Sequence, residues 1–203
     1  LLQWLPVDFY VGGAEHTVLH LLYARFFTKF LYKYGYVDFD EPFTKMRHQG
    51  IILAEDGTKM SKSKGNVVNT DDVVKDYGAD ALRMYEMFMG PLEDMKPWNT
   101  KGIVGISRFL DKVWRFSDKC QAASAKDEKL LSVLHKTIKK VTEDIEEFKY
   151  NTAIAQMMIL VKEMENTKEI RSKDFEKFIL VLSPFAPHLC EEIWQKLGHE
   201  DLM

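Results

Sequence analysis

The sequence predicts an α/β plus all-α chain: a partial parallel-sheet unit followed by an antiparallel α-helical bundle. Three observations carry this expectation. A β-forming run at 7–11 leads through a glycine pair into a long periodic helix. A lysine-rich loop and two short helices occupy residues 55–90. From about Asn99 onward the pattern is helical throughout. With 203 residues, 46% of them hydrophobic, the chain is large enough for one sizeable core or two smaller ones.

Val7-Asp8-Phe9-Tyr10-Val11 is rich in β-formers, and Gly12-Gly13 permits a sharp turn after it. The period from Ala14 to Tyr34 is that of a helix, stopped by Gly35. Strand, glycine turn and helix make half of a βαβ unit. A second strand is expected at 48–53, closed by the turn Glu55-Asp56-Gly57. Asn69-Thr70-Asp71-Asp72 is a helix-start signal, and Gly78 ends that helix. A short helix at 79–89 stops at Gly90-Pro91. Four helices follow, at 100–119, 127–149, 151–166 and 173–197, the last broken or kinked at Pro184 and Pro187. Leu130, Leu134, Ile138, Val141, Ile145 and Phe148 recur at threes and fours, as a core-facing stripe does. Met157, Met158, Met164 and Phe178 read as core. The domain boundary is expected within 91–98, giving residues 1–95 and 96–203. There are no internal repeats or low-complexity tracts.

The net charge is −3, so bulk charge does not make this a nucleic-acid binder; any RNA contact rests on local basic clusters. Lys112, Arg115, Lys119, Lys136, Lys139 and Lys140 are candidates for phosphate contacts, against the reading of a solvated helix face. Cys120 and Cys190 suit buried thiols in a reducing compartment, and a cytoplasmic location is expected. No apolar run reaches membrane-spanning length, and no signal peptide is expected. The chain opens without Met in apolar Leu1-Leu2-Gln3-Trp4-Leu5-Pro6, as expected of a domain cut open with an apolar patch left bare.

Lys59-Met60-Ser61-Lys62-Ser63-Lys64-Gly65-Asn66 is the sharpest chemical feature. Three lysines within six positions, between a turn and a helix start, can present ammonium and backbone N–H groups to polyphosphate. Lysine suits a moving pyrophosphate because its charge is compact and mobile. A plain solvated loop is the alternative. His16 and His20, four apart, are expected on one helix face. Glu15-His16-x-x-x-His20 invites comparison with a zinc helix. The metalloprotease order, however, places Glu between the histidines, and no third ligand lies nearby, so no metal ligand is assigned.

Lys59-Met60-Ser61-Lys62-Ser63 is identical to the signature pentapeptide of class I aminoacyl-tRNA synthetases. Its surroundings, His48-Gln49-Gly50, Gly65-Asn66-Val67-Val68 and Tyr77-Gly78-Ala79-Asp80-Ala81-Leu82-Arg83, resemble the Leu/Ile/Val/Met branch. So do Leu182-Ser183-Pro184-Phe185-Ala186-Pro187-His188 and Glu191-Glu192-Ile193-Trp194. The resemblance covers nearly the whole chain. Val7 to His16, Leu19 to Phe26, and Gly90-Pro91 with Lys96-Pro97-Trp98 resemble the bacterial leucine-specific members; isoleucine- and valine-specific members usually carry an Asp-Gln type pair at Glu15-His16.

The resemblance implies the C-terminal half of a Rossmann catalytic domain and an anticodon-binding-like bundle. It implies a ligase that uses ATP with Mg²⁺ to form leucyl-adenylate and passes the leucyl group to its tRNA. Lys59 and Lys62 are then catalytic. Gly12, Gly13, Glu15, Gln49, Lys59, Met60, Ser61, Lys62 and Ser63 contact ATP, and His16 and His20 border the leucine. The family's His-Ile-Gly-His signature and editing domain are absent from this sequence, so the fragment alone is expected to be inactive, needing the missing N-terminal half as partner. The competing readings are a non-catalytic tRNA-binding module, or a closely related isoleucine- or valine-specific enzyme.

Overall fold

The computed structural model describes residues 3–121, 127–167 and 169–203. The opening Leu1-Leu2 lies outside them. The chain forms two compact units: Leu1–Ile52 with Leu92–Lys96, and Leu53–Pro91 with Pro97–Met203.

The first unit is built on strand β1 (Tyr10–Gly13), helix α1 (His20–Lys33) and strand β2 (Met46–Gln49). β1 and β2 are parallel, with Tyr10, Val11, Gly12 and Gly13 opposite Met46, Arg47, His48 and Gln49. The strand–helix–strand unit is therefore complete, where the sequence pattern supplied half of it. The strand sits later than expected. Val7 makes only an isolated bridge to Phe43, and the glycines lie inside β1 rather than in a turn. The turn falls instead on a 3₁₀ segment, Ala14–Thr17, and α1 starts only at His20. Thr17-Val18 is a β-branched pair, which crowds a helical turn and favours such a break. Arg25 and Lys29 on α1 both bond Glu41, holding its carboxyl down at about 2.

The second unit contains α2 (Thr70–Tyr77), α3 (Ala79–Phe88) and the bundle α4 (Thr100–Ser117), α5 (Glu128–Glu146), α6 (Tyr150–Asn166), α7 (Ser172–Leu182) and α8 (Pro187–Lys196). Two short strands, β3 (Ile52–Leu53) and β4 (Lys96–Pro97), precede the bundle, and β5 (Cys120–Gln121) pairs in parallel with β6 (Ile170–Arg171). The Asn69 side chain accepts from the Asp71 N–H and caps α2. Gly78 ends α2 and begins α3 at φ 89°, a backbone state that suits glycine alone. Pro184 and Pro187 divide the expected last helix outright into α7 and α8.

Three side-chain bonds show that α5 and α6 are antiparallel: Thr167 to Asp127, Gln156 to Thr137 and Thr152 to Asp144. One index falls as the other rises. The buried stripe of α5 is Leu130, Leu134, Thr137, Val141 and Asp144, rotated from the apolar pattern. Ile138, Ile145 and Phe148 are only half-buried. Thr137 and Asp144 can sit inside because Gln156, Thr152 and Lys140 satisfy them. Met157, Met164 and Phe178 are core, with Phe175, Leu160 and Ile154, whereas Met158 is half-buried beside Arg108 and Lys112.

Asp80 ties α3 to α8. Its carboxylate is buried and accepts from the Leu189 N–H (2.7 Å), the His188 N–H (3.4 Å) and His188 Nδ1 (2.8 Å). One turn on, the Arg83 guanidinium donates to the Pro184 carbonyl. Tyr85 adds a third tie: its hydroxyl donates to the Asn99 carbonyl and accepts the Asn99 N–H, and its ring meets Trp98 edge-on.

Two outcomes follow from these packings. Asp80→Ala leaves the first amides of α8 uncapped and should cost about 2–3 kcal/mol, read by urea unfolding; Asp80→Asn should cost less. On α1, Tyr23, Phe26, Phe27 and Phe30 are exposed. The isolated chain should therefore bind an apolar dye and self-associate in light scattering, and Phe26→Glu with Phe30→Glu should abolish both.

Candidate functional site

In the first unit, the sequence candidates Gly12, Gly13, Glu15, His16 and Gln49 lie along the C-terminal ends of β1 and β2 and the turn that follows, while His20 packs on Tyr10, the first residue of β1. Those strand ends are the edge of a parallel sheet where ligands bind in α/β folds. Gly13 is buried, and a Cβ there would fall on the Glu15 carboxylate, which folds back over it. A Cβ on Gly12 would press on the Tyr10 ring. The two glycines thus make room for neighbours rather than turn the chain. The imidazole of His48 lies across the strands with Nδ1 3.4 Å from the Gly12 carbonyl.

His16 and His20 do not share one continuous helix, since the backbone breaks at Val18-Leu19. His16 belongs to the 3₁₀ turn, and its Nδ1 is buried without a hydrogen-bond partner among the described residues. His20 opens α1 and stacks on Tyr10, ring centres 5.7 Å apart at 24°. Gln49 ends β2 with its side chain exposed. Gly50 after it donates its N–H to the Leu92 carbonyl at 2.7 Å, and a Cβ would land on the Asp94 carbonyl. The Arg47–Glu93 pair, 2.6 Å, clamps the same loop.

In the second unit, the pentapeptide lies on a loop closed by short polar side chains. Asp56 accepts from both the N–H and the hydroxyl of Thr58 (2.9 and 2.8 Å). These bonds hold its carboxyl below the usual range, Thr58 being the main cause and the charge of Lys64 a minor one. Asn66 accepts from the Ser61 N–H (2.8 Å) and donates to the Thr58 hydroxyl (3.0 Å). The Ser61 and Ser63 hydroxyls are 2.8 Å apart. Lys62–Lys64 form a 3₁₀ turn ended by Gly65 at φ 66°. The N–H groups of Ser61, Lys64 and Gly65 are already bonded to the chain. The loop therefore offers an anion its ammonium groups more than its amides.

Met60 is half-buried, and Lys59, Lys62 and Lys64 are exposed. Among the described residues none of these three lysines forms an ion pair. The bundle cations differ. Lys112 pairs with Glu165, Lys139 with Glu143, Lys140 with Asp144, and Arg115 bonds the Asp111 carbonyl. Of the expected phosphate contacts, only Lys119 and Lys136 have no such partner among the described residues. By sequence Asp56 is part of a turn and Asn66 part of the motif, neither with a loop-ordering role, and Thr58 is not singled out. The available signal was three short polar residues around a lysine cluster, types that bond neighbouring backbone.

Comparison with known proteins identifies the family. The model of tRNA synthetases class I (I, L, M and V) matches residues 3–97, and that of the anticodon-binding domain of tRNA ligase matches 127–203. The chain belongs to the class I tRNA synthetases of that branch. Within the branch it is similar to leucine–tRNA ligases: 57% identical to that of Chloroherpeton thalassium and 54% to that of Leptospira biflexa, each over 98% of the chain. It spans about a quarter of their length (26% and 24%). A LeuRS of Agrobacterium radiobacter, solved with tRNA and LeuAMS, superposes with a TM-score of 0.87 at 34% identity, over 97% of this chain and 28% of that one. A Mycobacterium tuberculosis methionyl-tRNA synthetase shares the fold at 15% identity, TM-score 0.71, over 95% of this chain and 44% of that one.

Gly50→Ala should cost about 1–3 kcal/mol in urea unfolding, because backbone must move to admit the methyl group. Gly105→Ala, inside α4 with open space at its Cβ, should be neutral or stabilise by up to about 1 kcal/mol. Equal effects at both positions would contradict the close approach at Gly50.

Proposed function

We propose that the chain contributes to leucine–tRNA ligation: ATP-dependent formation of leucyl-adenylate, then transfer of the leucyl group to the tRNA for leucine. The observation that carries this reading is the loop 59–64. Its lysines are exposed and, among the described residues, without carboxylate partners, on a framework that uses up its own polar side chains internally. Unpaired, mobile ammonium groups are suited to the triphosphate and its leaving pyrophosphate.

On this reading the leucine carboxylate attacks the α-phosphorus and pyrophosphate departs with Mg²⁺, which enters with the nucleotide. No protein nucleophile is required, so the chain acts by positioning and by charge. Lys62 and Lys59 neutralise the β- and γ-phosphates as charge builds on them. Met60 seats the loop, and Ser61 and Ser63 donate hydrogen bonds. Gly12, Gly13 and Glu15 take the ribose, Gln49 the adenine side, and His16 and His20 the leucine. Residues 1–95 form the C-terminal part of the catalytic domain and 96–203 the tRNA-contacting bundle, in a cytoplasmic enzyme. The remaining catalytic machinery comes from the rest of the synthetase. A module that only holds RNA is less well supported, because Lys112, Lys139 and Lys140 are already paired with carboxylates.

The test is leucine-dependent ATP–pyrophosphate exchange in a full-length leucine–tRNA ligase carrying this sequence. Lys62→Ala should lower kcat roughly a hundred- to a thousandfold, more than it raises the KM for ATP, since its contact strengthens along the reaction. The melting temperature should hold, because an exposed, unpaired lysine contributes little to stability. Lys64→Ala should be milder. A near-normal kcat for Lys62→Ala would return the loop to a solvated connector.

A further inference from the structure

We infer that Asn66 is the positioning residue of the lysine loop, acting through both ends of its side-chain amide. Oδ1 accepts the Ser61 N–H at 2.8 Å. Nδ2 donates to the Thr58 hydroxyl at 3.0 Å and lies 3.4 Å from the Lys59 carbonyl. One side chain thus bridges the residues on both sides of Lys59 and Met60.

The bonds run in one consistent direction. The Thr58 hydroxyl spends its proton on Asp56, so its lone pairs are left to accept from Asn66. Asp56 also takes the Thr58 N–H, which fixes Thr58 as an anchor. At the other end, the Ser61 hydroxyl meets that of Ser63 within the turn that carries Lys62 and Lys64. Gly65, at φ 66°, reverses the chain so that Asn66 returns beneath the loop. Asn66 is half-buried, while Lys62, Ser63, Lys64 and Gly65 are exposed.

Only an amide of this length fits both ends. Aspartate keeps the acceptor but has no donor for Thr58, and it adds charge near Asp56. Glutamine is a methylene longer, and alanine removes both bonds. Three exposed, mutually repelling lysines have no reason of their own to hold one conformation. Asn66 supplies it without contributing charge. Both ends of its amide are engaged within the chain, so its effect on the reaction is transmitted through Ser61 and Lys62.

This inference rests on the phosphate-binding reading of the loop, and the experiment separates the two. Pyrophosphate exchange is measured in a full-length leucine–tRNA ligase carrying this sequence, for Asn66→Ala, Asn66→Asp, Lys62→Ala and the Asn66→Ala/Lys62→Ala double variant, with thermal melts. Asn66→Ala should lower kcat roughly tenfold while the KM for ATP moves less than about threefold, with an unchanged melting temperature. Asn66→Asp should recover part of the loss. The double variant should be little slower than Lys62→Ala alone, because a misplaced lysine and a missing one fail at the same step. If Lys62→Ala is crippled but Asn66→Ala is not, the inference falls and the phosphate reading stands. Multiplicative losses in the double variant, or a loss that tracks a fall in melting temperature, overturn it as well. A normal Lys62→Ala overturns both, whatever Asn66→Ala does.

Discussion

The buried carboxylate of Asp80 sets the geometry of the larger unit. It stands at the N-terminus of α3 and caps the N-terminus of α8, where the helix end favours an anion. Arg83 repeats the attachment one turn later, on the Pro184 carbonyl. Two points a turn apart fix both the position and the direction of α3 against 184–189. Gly78 then turns α3 back into α2, and the Asn69 cap starts α2 four residues beyond Gly65. The Asp80 acceptor lies more than a hundred residues away in sequence from its donors.

The loop itself resolves a conflict between charge and order. On the proposed reading, lysines that meet phosphate are better left without carboxylate partners, because a paired ammonium would have to exchange partners first. In the bundle, by contrast, Lys112, Lys139 and Lys140 are paired with carboxylates. At 59–64 the ordering is delegated to neutral groups, Thr58, Ser61, Ser63 and Asn66, with a single carboxylate at Asp56 bonded to Thr58. Neutral hydrogen bonds organise the backbone while leaving the positive potential intact.

The glycines of the first unit show a second division of labour. Gly13 and Gly50 both sit where a methyl group would collide, one with the Glu15 carboxylate and the other with the Asp94 carbonyl. Their neighbours in sequence, Glu15 and Gln49, are the candidate ribose- and adenine-side groups. Only at Gly50 is the close neighbour backbone; the Glu15 carboxylate at Gly13 is the end of an exposed, flexible side chain that can move aside. The composition of 7–16 signals glycine-dependent geometry, but a turn and a close contact look alike in sequence.

What the sequence by itself determined was local. The helix starts at Asn69 and Asn99, the stops at Gly35 and Gly78, and the break at Pro184 and Pro187 depend on residues within one turn, so spacing and residue type suffice. The pentapeptide was legible as chemistry because its lysines are adjacent. What only the tertiary structure decided depends on partners distant in the chain. The parallel register places Gly12 and Gly13 inside a strand, opposite His48 and Gln49. The α5 stripe rotates onto Thr137 and Asp144 because Gln156 and Thr152 of α6 satisfy them. Asp80 becomes a cap for His188 and Leu189, a role no window of sequence around residue 80 contains. Periodicity reports which positions are apolar, whereas burial of a polar group is settled by whether a partner arrives from elsewhere in the fold.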